Sequence, residues 1–423
     1  MSLIEELRWR GLLHQQTHDD LEARLAKEPI TCYAGFDPTA DSLHVGSMIP
    51  IIGLMHLQRA GHRPIILVGG GTGLIGDPSF KAAERALLTK EDVARNVARI
   101  QKQLEHFLDF TGPNAAVVRD NGDWLSQLPL IDFLRDIGKH FSVNAMLSKD
   151  SVRQRLEDRD HGISYTEFTY SLLQAYDFLA LFEKEACRLQ LGGSDQWGNI
   201  VAGIDLVRRI HGEETYGFTL PLVTKSDGSK FGKSETGNVW LDPARTSPYT
   251  FYQFWLNQAD ADTSRYLRFY TFLEHAAIED LERQIAEEPH KRAAQRALAE
   301  AVTRMVHGDA ALANAIEASE AMFSGDLKGL DEATLNDVFA EVPSAVIPHS
   351  VLGAGRGLID VLVEAQVFPS KGEARRLIQN GGLYLNSERI DDAETPLNAA
   401  SLLTGNIAIV RKGKKNYHLL RFE

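Results

Sequence analysis

Two short apolar runs, Ile30-Thr31-Cys32-Tyr33-Ala34 and Pro64-Ile65-Ile66-Leu67-Val68, flank residues 48–60, which have helical length and are followed by Gly61, where a helix-terminating glycine belongs. Strand, helix and strand within about 40 residues make a βαβ unit. Strands joined in this way run parallel, and a parallel sheet is covered by helices on both faces. The first half of the chain is therefore expected to be an α/β domain on a parallel sheet. Further strand candidates are 115–118 and 188–191, and 87–107 and 171–182 read as helices.

The pattern changes after about residue 245. Residues 273–322 carry no strand signal, and 292–318 read as packed helices interrupted at His307-Gly308-Asp309. Residues 341–357 contain Pro343, Pro348, Gly353, Gly355 and Gly357, a linker composition. The last segment, 358–423, mixes a helix with short strands. A net charge of −13 argues against a protein coated in basic residues. The balance is uneven, because from Arg356 onward ten basic residues face eight acidic ones, leaving +2 there and −15 before it. No stretch approaches the roughly 18 apolar residues of a membrane span. The N-terminus lacks the basic and apolar regions of a secretory signal. Cys32 and Cys187 lie far apart with no Cys-x-x-Cys pair, against a disulfide framework or structural zinc. A cytoplasmic enzyme is expected.

Three places carry chemistry. Residues 69–76 contain Gly71-x-Gly73-x-x-Gly76, formally a dinucleotide fingerprint. That fingerprint belongs after the first strand, whereas here another strand precedes it, and Pro78 disfavours the helix that should follow. Glycines for tight turns beside a ligand fit better, with a nicotinamide enzyme as a distant alternative. The first βα junction runs from Tyr33 through Asp37, Thr39 and His44 to Gly46 and Ser47. Backbone N–H groups at a helix start favour anions, and Gly46 allows close approach. An incidental His at a helix start stays open, since chance alone gives about one His-x-Gly here. In the loop 224–234, Lys230 and Lys233 can converge on a polyphosphate, or can be a solvated basic loop.

Together these stretches resemble a bacterial-type tyrosyl-tRNA synthetase, of the class I aminoacyl-tRNA synthetases, over essentially the whole chain. His44-Val45-Gly46-Ser47 and Lys230-Phe231-Gly232-Lys233-Ser234 match the two class signatures. More specific are Gly35-Phe36-Asp37-Pro38-Thr39, Gly73-Leu74-Ile75-Gly76-Asp77-Pro78-Ser79, Tyr170 to Asp177, and Gly192-Gly193-Ser194-Asp195-Gln196-Trp197-Gly198-Asn199. Ser47 stands where the signature has a second histidine, and Ala34 where a cysteine is common.

The resemblance implies a Rossmann-like catalytic domain over 1–245, an α-helical anticodon-arm domain over 246–325, a linker over 326–357 and a small α+β RNA-binding domain over 358–423. It implies activation of L-tyrosine by ATP, entering as its magnesium complex, and transfer of the tyrosyl group to tRNA. No tightly bound cofactor and no protein metal site are expected. Tyr33 and Asp177 are expected at the phenol, Tyr170, Gln174 and Asp77 at the ammonium, and Gln196 near the carboxylate. Gly193 and Asp195 should meet the ribose. Thr39 and His44 should contact the phosphates, with Gly35, Asp37, Gly46 and Ser47 beside the nucleotide. Lys81, Arg85, Lys230 and Lys233 should stabilise the leaving pyrophosphate, within the loop that includes Phe231, Gly232 and Ser234.

The segment 358–423 resembles the RNA-binding domain named after ribosomal protein S four, through Phe368 to Ile378 and Gly381 to Asn386. A helix from Ser370 would set Lys371, Arg375 and Arg376 on one side for RNA phosphates, with Lys412, Lys414 and Lys415 nearby. Tyr170, Gln174 and Asp177, at i, i+4 and i+7, share one helical face, and three polar groups there suit a lined pocket better than a core. A homodimer with its interface around 115–165 is expected from the family. A tryptophan-specific sister enzyme and a catalytically silent RNA-binding protein are the alternatives.

Overall fold

A computed structural model describes the chain except at residues 78–87, 150–151, 154–155, 157–161, 229–230, 235–236, 325–326, 328, 341 and 414–415, and the side chains of Lys233 and Ser234. The chain divides into two compact units, Met1–Arg245 with Gln258–Ala301, and Thr246–Asn257 with Val302–Glu423. The helical stretch 246–325 is thus shared between the two.

The first unit is α/β. Its sheet contains β1 (Gln15–Gln16), β2 (Thr31–Phe36), β3 (Arg63–Val68), β4 (Val117–Asp120), β5 (Cys187–Gly193) and β6 (Tyr216–Leu220), in the order β1-β6-β5-β2-β3-β4. All neighbours are parallel except the edge pair β1 and β6. The chain runs outward from β2 through β3 to β4, then returns to β2's other side as β5. The order therefore reverses at β2, and in such sheets ligands bind beyond the carboxyl ends of the strands at that reversal. β3 reads Pro64 to Val68 with every one of these side chains buried, as a strand covered on both faces requires.

Helix α1 (Met48–Arg59) returns the chain from β2 to β3. It starts only after a short turn at Val45–Ser47, so Pro50 falls in its first turn, where proline is tolerated. Gly61 follows at φ +92°, a conformation that favours glycine. Helix α2 (Lys90–Leu104) packs behind β3, and α3 (Tyr165–Glu185) lies against α4 (Trp197–His211). Ser164 starts α3 by accepting the Glu167 N–H at 3.2 Å. In the loop after β6, β7 (Lys233–Ser234) and β8 (Gly237–Asn238) form a small hairpin. α5 (Asp260–Tyr270) completes the elements bordering this loop.

The second unit carries a five-stranded sheet, β9 (Ser344–Ile347), β10 (Leu383–Leu385), β11 (Glu388–Arg389), β12 (Ile407–Lys412) and β13 (Asn416–Phe422), in the order β11-β10-β12-β13-β9. Alternation along β12 sends Ile407 and Ile409 into a core with Leu335 and Phe339, and Ala408 and Val410 into another with Leu362 and Phe368. This corrects the linker expected over 326–357. Ser344–Ile347 is a strand, paired in parallel with β13. Pro343 and Pro348 flank it without breaking it because it is the sheet's edge, where a missing N–H costs no ladder bond. The helix interruption expected at 307–309 is present as Gly308, at φ 82° and ψ 174° within Ala293–Ser324.

Candidate active site

A cavity of about 340 Å³ opens at the carboxyl ends of β2 and β5. β2 and its following loop supply Tyr33, Gly35, Asp37 and Thr39, and Gly46 and Ser47 follow at the entry to α1. Tyr170, Gln174 and Asp177 come from one face of α3, Gly193, Asp195 and Gln196 from the end of β5, and Asp77 from the loop after β3. The i, i+4, i+7 pattern on α3 is thus a pocket lining. A Cβ on Gly35 would meet no protein atom within 4 Å, and its φ is not positive. Its side here opens on the cavity, which leaves room for a ligand against the backbone.

Tyr33 and Asp177 are both buried, 1% and 2% exposed. The Tyr33 hydroxyl has no hydrogen-bond partner among the described residues. Burial, with the Asp177 charge in reach, drives its pKa well above the usual value, so it stays a donor. Asp177 accepts from Asn121 Nδ2 at 2.9 Å and Trp124 Nε1 at 2.8 Å. Burial nevertheless pushes its carboxyl up to about 7, against the lowering pull of those two bonds. A hydroxyl and a carboxylate presented together suit a ligand group that both donates and accepts.

The neighbouring wall is acidic. Tyr170 donates to Asp37 Oδ2 at 2.8 Å, and Thr72 to Asp37 Oδ1 at 2.8 Å. With its proton committed to Asp37, the Tyr170 oxygen is left as an acceptor. Gln196 Nε2 donates to Asp77 at 2.7 Å and to Asp195 at 3.0 Å. Burial raises the Asp195 pKa. Acceptors gathered around buried space match a donor-only cation such as an ammonium.

Asn121, Trp124, Thr72 and Gln190 were not anticipated. Asn121 links the site together, donating to Asp177 and to Thr72 Oγ1 while its Oδ1 accepts from Gly71 N at 2.8 Å. Asp120 accepts from Gly70 N at 3.0 Å. The amides of Gly70, Gly71 and Thr72 are thus spent on side chains at the end of β4, and those of Gly69, Gly73 and Gly76 on backbone carbonyls, so the run is no dinucleotide cradle. A Cβ at Gly69 would lie 2.3 Å from Asp37 Oδ1, and one at Gly70 2.2 Å from Asp120 Oδ1. These glycines serve close packing around the site. Gln190 lines the cavity from mid-strand, 3% exposed, with its amide oxygen unpaired. A polar residue inside an apolar strand is the signal that could have found it.

The entry to α1 departs from expectation. Its amides are not free for an anion: Val45 N–H donates to Val239 O at 3.0 Å, Ser47 N–H to His44 O at 2.8 Å, and Gly46 N–H to His44 Nδ1 at 3.0 Å. The reason is that His44 itself caps the turn. With Nδ1 accepting, the ring proton resides on Nε2. Burial lowers the His44 pKa, so the ring is a neutral donor at pH 7. Phe231, in the second signature, packs on Tyr266 and Tyr270 of α5 with ring centroids 4.9 and 5.5 Å away. Lys81, Arg85 and Lys230 lie outside the described residues, as do Lys414 and Lys415.

In the second unit, Ser370 caps Lys371–Gln379, which exposes Lys371, Arg375 and Arg376 and buries Ala374 and Ile378. Lys371 pairs with Asp360 at 2.8 Å and Arg375 with Glu394 at 3.4 Å, exposed contacts that RNA phosphates could displace. Lys412 is differently placed, its Nζ donating to Val367 O at 2.8 Å above the Phe368 ring.

The chain resembles known proteins over essentially its whole length. The family described as tRNA synthetases class I (W and Y) matches residues 25–324, and the tyrosine–tRNA ligase SYY-like C-terminal domain matches 334–420. The tyrosine–tRNA ligase of Roseiflexus castenholzii is 54% identical over 422 residues, 99% of both chains. That of Bacillus caldotenax is 54% identical over 425 residues, 100% of both. The crystal structure of a C-terminally truncated Aspergillus nidulans mitochondrial tyrosyl-tRNA synthetase is 32% identical with a TM-score of 0.69, covering 76% of this chain and 94% of that one. A tryptophanyl-tRNA synthetase from Encephalitozoon cuniculi, 13% identical with a TM-score of 0.53 over 74% of this chain and 87% of its own, shares the fold alone. The chain belongs to the tyrosine–tRNA ligases, within the class I tRNA synthetases of the W and Y group.

Proposed function

We propose that this chain activates L-tyrosine with ATP, as its magnesium complex, to tyrosyl-adenylate and pyrophosphate, and then transfers the tyrosyl group to the 3′ end of its tRNA. The observation that carries this reading is the Tyr33 hydroxyl, buried and unpaired in the same cavity as Asp177. A phenol satisfies both groups, accepting from Tyr33 and donating to Asp177. An indole N–H would serve Asp177 and leave Tyr33 unpaired, and phenylalanine would serve neither. Sites built around a substrate hydroxyl reject the analogue lacking it by about 10⁴–10⁵-fold, a figure measured for tyrosine-specific synthetases themselves.

The substrate ammonium then lies among Asp77, Gln174 and the Tyr170 oxygen, and Gln196 faces the carboxylate. That carboxylate is already ionised at neutral pH, so attack on the α-phosphorus needs no protein base. Positioning and charge stabilisation suffice. Gly193 and Asp195 hold the ribose, and Thr39 and the His44 Nε2–H meet the phosphates. Lys81, Arg85, Lys230 and Lys233 take the charge of the departing pyrophosphate, by resemblance. Within this reading, 1–245 performs the chemistry, 246–325 meets the anticodon arm, and Lys371, Arg375 and Arg376 add RNA phosphate contacts.

A homodimer is part of the same reading. It is supported by apolar side chains exposed between residues 130 and 165, among them Leu130 at 69%, Ile131 at 70% and Val143 at 58%. Among the described residues no helix is long and apolar enough to cross a membrane, and the reading places the work in the cytoplasm with the tRNA pool. Tyrosine-dependent exchange of labelled pyrophosphate into ATP tests the proposal; no exchange would remove it.

A further inference from the structure

The two signature loops meet through one extended segment, residues 237–241. Val239 N–H donates to Gly232 O at 2.9 Å, Val239 O accepts from Val45 N–H at 3.0 Å, and Leu241 N–H donates to Leu43 O at 2.8 Å. His44 and Trp240 form an antiparallel bridge within this ladder. Gly232 sits at φ 81°, and a Cβ there would lie 2.9 Å from Val45 Cγ2. The first signature, the segment and Gly232 of the second signature are therefore one stack of backbone, and a shift in any member moves the others.

Side chains lock the same stack from outside. The His44 ring meets the Trp240 ring edge-on, with centroids 6.2 Å apart at 66°. The Arg245 guanidinium lies 3.5 Å from the Trp240 ring centroid. Arg245 Nη1 also donates to Asp41 Oδ1 at 2.7 Å, and Asp41 Oδ2 accepts from Arg99 of α2 at 2.5 Å. Asp41 stands three residues before His44, so the lock closes on the loop where it began. Gln103 of α2 adds a second tie, its Oε1 accepting from Leu43 N–H at 2.9 Å. With His44 Nδ1 committed to Gly46, the direction of its Nε2–H follows the ring plane, and Trp240 is the aromatic ring packed edge-on against that imidazole.

We propose that Trp240, clamped by Arg245, is a positioning residue for adenylate formation, holding the His44 ring and the second signature loop in one register. This rests on the reading above, in which His44 acts at the ATP phosphates. Trp240, Arg245 and His44 all lie outside the cavity lining, whereas Gly46, held by the His44 ring, lies in it, so the effect of Trp240 and Arg245 passes through other groups. It falls on the rate of the step and not on tyrosine binding, because misplacing a catalytic group by even about 1 Å costs up to 10²-fold.

The test is a set of single-turnover adenylation rates on the full chain, with equilibrium tyrosine affinity alongside. Trp240→Leu should slow adenylation about tenfold or more and leave the tyrosine dissociation constant within about twofold. Trp240→Phe, which keeps a ring, should recover most of the rate. His44→Asn should be slow by itself, and adding Trp240→Leu should slow it by less than about twofold further, since no imidazole remains to be positioned. Rates that multiply in the double variant, a Phe variant as slow as Leu, or a parallel loss of tyrosine affinity would overturn the proposal. If Trp240→Leu does not fold, Arg245→Gln, at a side chain 34% exposed, carries the same cycle with His44→Asn. A wild-type chain that forms no adenylate removes the function reading, and this inference with it. Adenylation with additive variants removes only this inference.

Discussion

Replacing Tyr33 with phenylalanine should stabilise the free chain and weaken its hold on tyrosine, two effects of opposite sign from one oxygen atom. In the free chain the hydroxyl is buried with no partner among the described residues. Leaving a polar group in that state costs about 1–3 kcal/mol, so removing it should stabilise the first unit by about 1 kcal/mol or more. For a unit of this size that is a rise of roughly 2 °C in melting temperature for each kcal/mol. In the complex the same hydroxyl gives one neutral hydrogen bond, worth about 0.5–1.5 kcal/mol, and binding also relieves the cost carried by the free chain, so affinity should fall by about 1.5 kcal/mol or more, roughly twelvefold or beyond. Discrimination against phenylalanine should narrow in the same variant, because the phenol loses one of its two partners. Thermal melts without ligand and equilibrium tyrosine binding measure both sides. A Tyr33→Phe chain that melts lower and binds tyrosine unchanged would refute the reasoning, since that is the behaviour of an ordinary core tyrosine.

Three further outcomes follow. The Asp177 carboxyl is pushed up to about 7 by burial, so the folded chain holds this proton more tightly than the unfolded chain. Its contribution to stability is full below about pH 4 and is lost as pH rises through 7, on the order of 2–3 kcal/mol between pH 5 and pH 8. Urea unfolding should show that slope reduced in Asp177→Asn; equal slopes would contradict the assignment. Lys230→Ala and Lys233→Ala should each lower the adenylation rate by at least about tenfold with little change in tyrosine affinity, as expected of groups that act on the leaving pyrophosphate, and a loss confined to affinity would count against this. Because Ser344–Ile347 pairs with β13, a truncation that spares adenylate formation belongs before residue 330 and not at Pro348. Such a chain should keep pyrophosphate exchange and lose tRNA charging, measured side by side; intact charging would show that the C-terminal unit is dispensable.

The sequence and the structure part company at identifiable places. The βαβ unit, the Gly61 stop and the polar face of α3 were legible because local periodicity and glycine chemistry determine them. Tyr33, Asp177 and Asp195 were reachable through the resemblance, and the reversal of strand order explains why they converge. Asn121 and Trp124 were not legible, because their partner Asp177 lies 56 and 53 positions away. They declare themselves only once β4 is seen to end at the same crevice. Pro343 and Pro348 misled because proline marks a linker and an edge strand equally well. His44 misled in the other direction. A histidine is not among the usual capping residues, so the amides it consumes looked available for phosphate.

The cavity at β2 and β5 is expected to activate tyrosine and no other amino acid. Pyrophosphate exchange by the purified full-length chain, run separately with tyrosine, tryptophan and phenylalanine at saturating ATP and magnesium, tests it most directly. Exchange is expected with tyrosine, with a kcat/KM lower by at least about 10⁴-fold for phenylalanine, the range seen for sites built around a substrate hydroxyl. Exchange that favours tryptophan, or fails to separate tyrosine from phenylalanine, would contradict it.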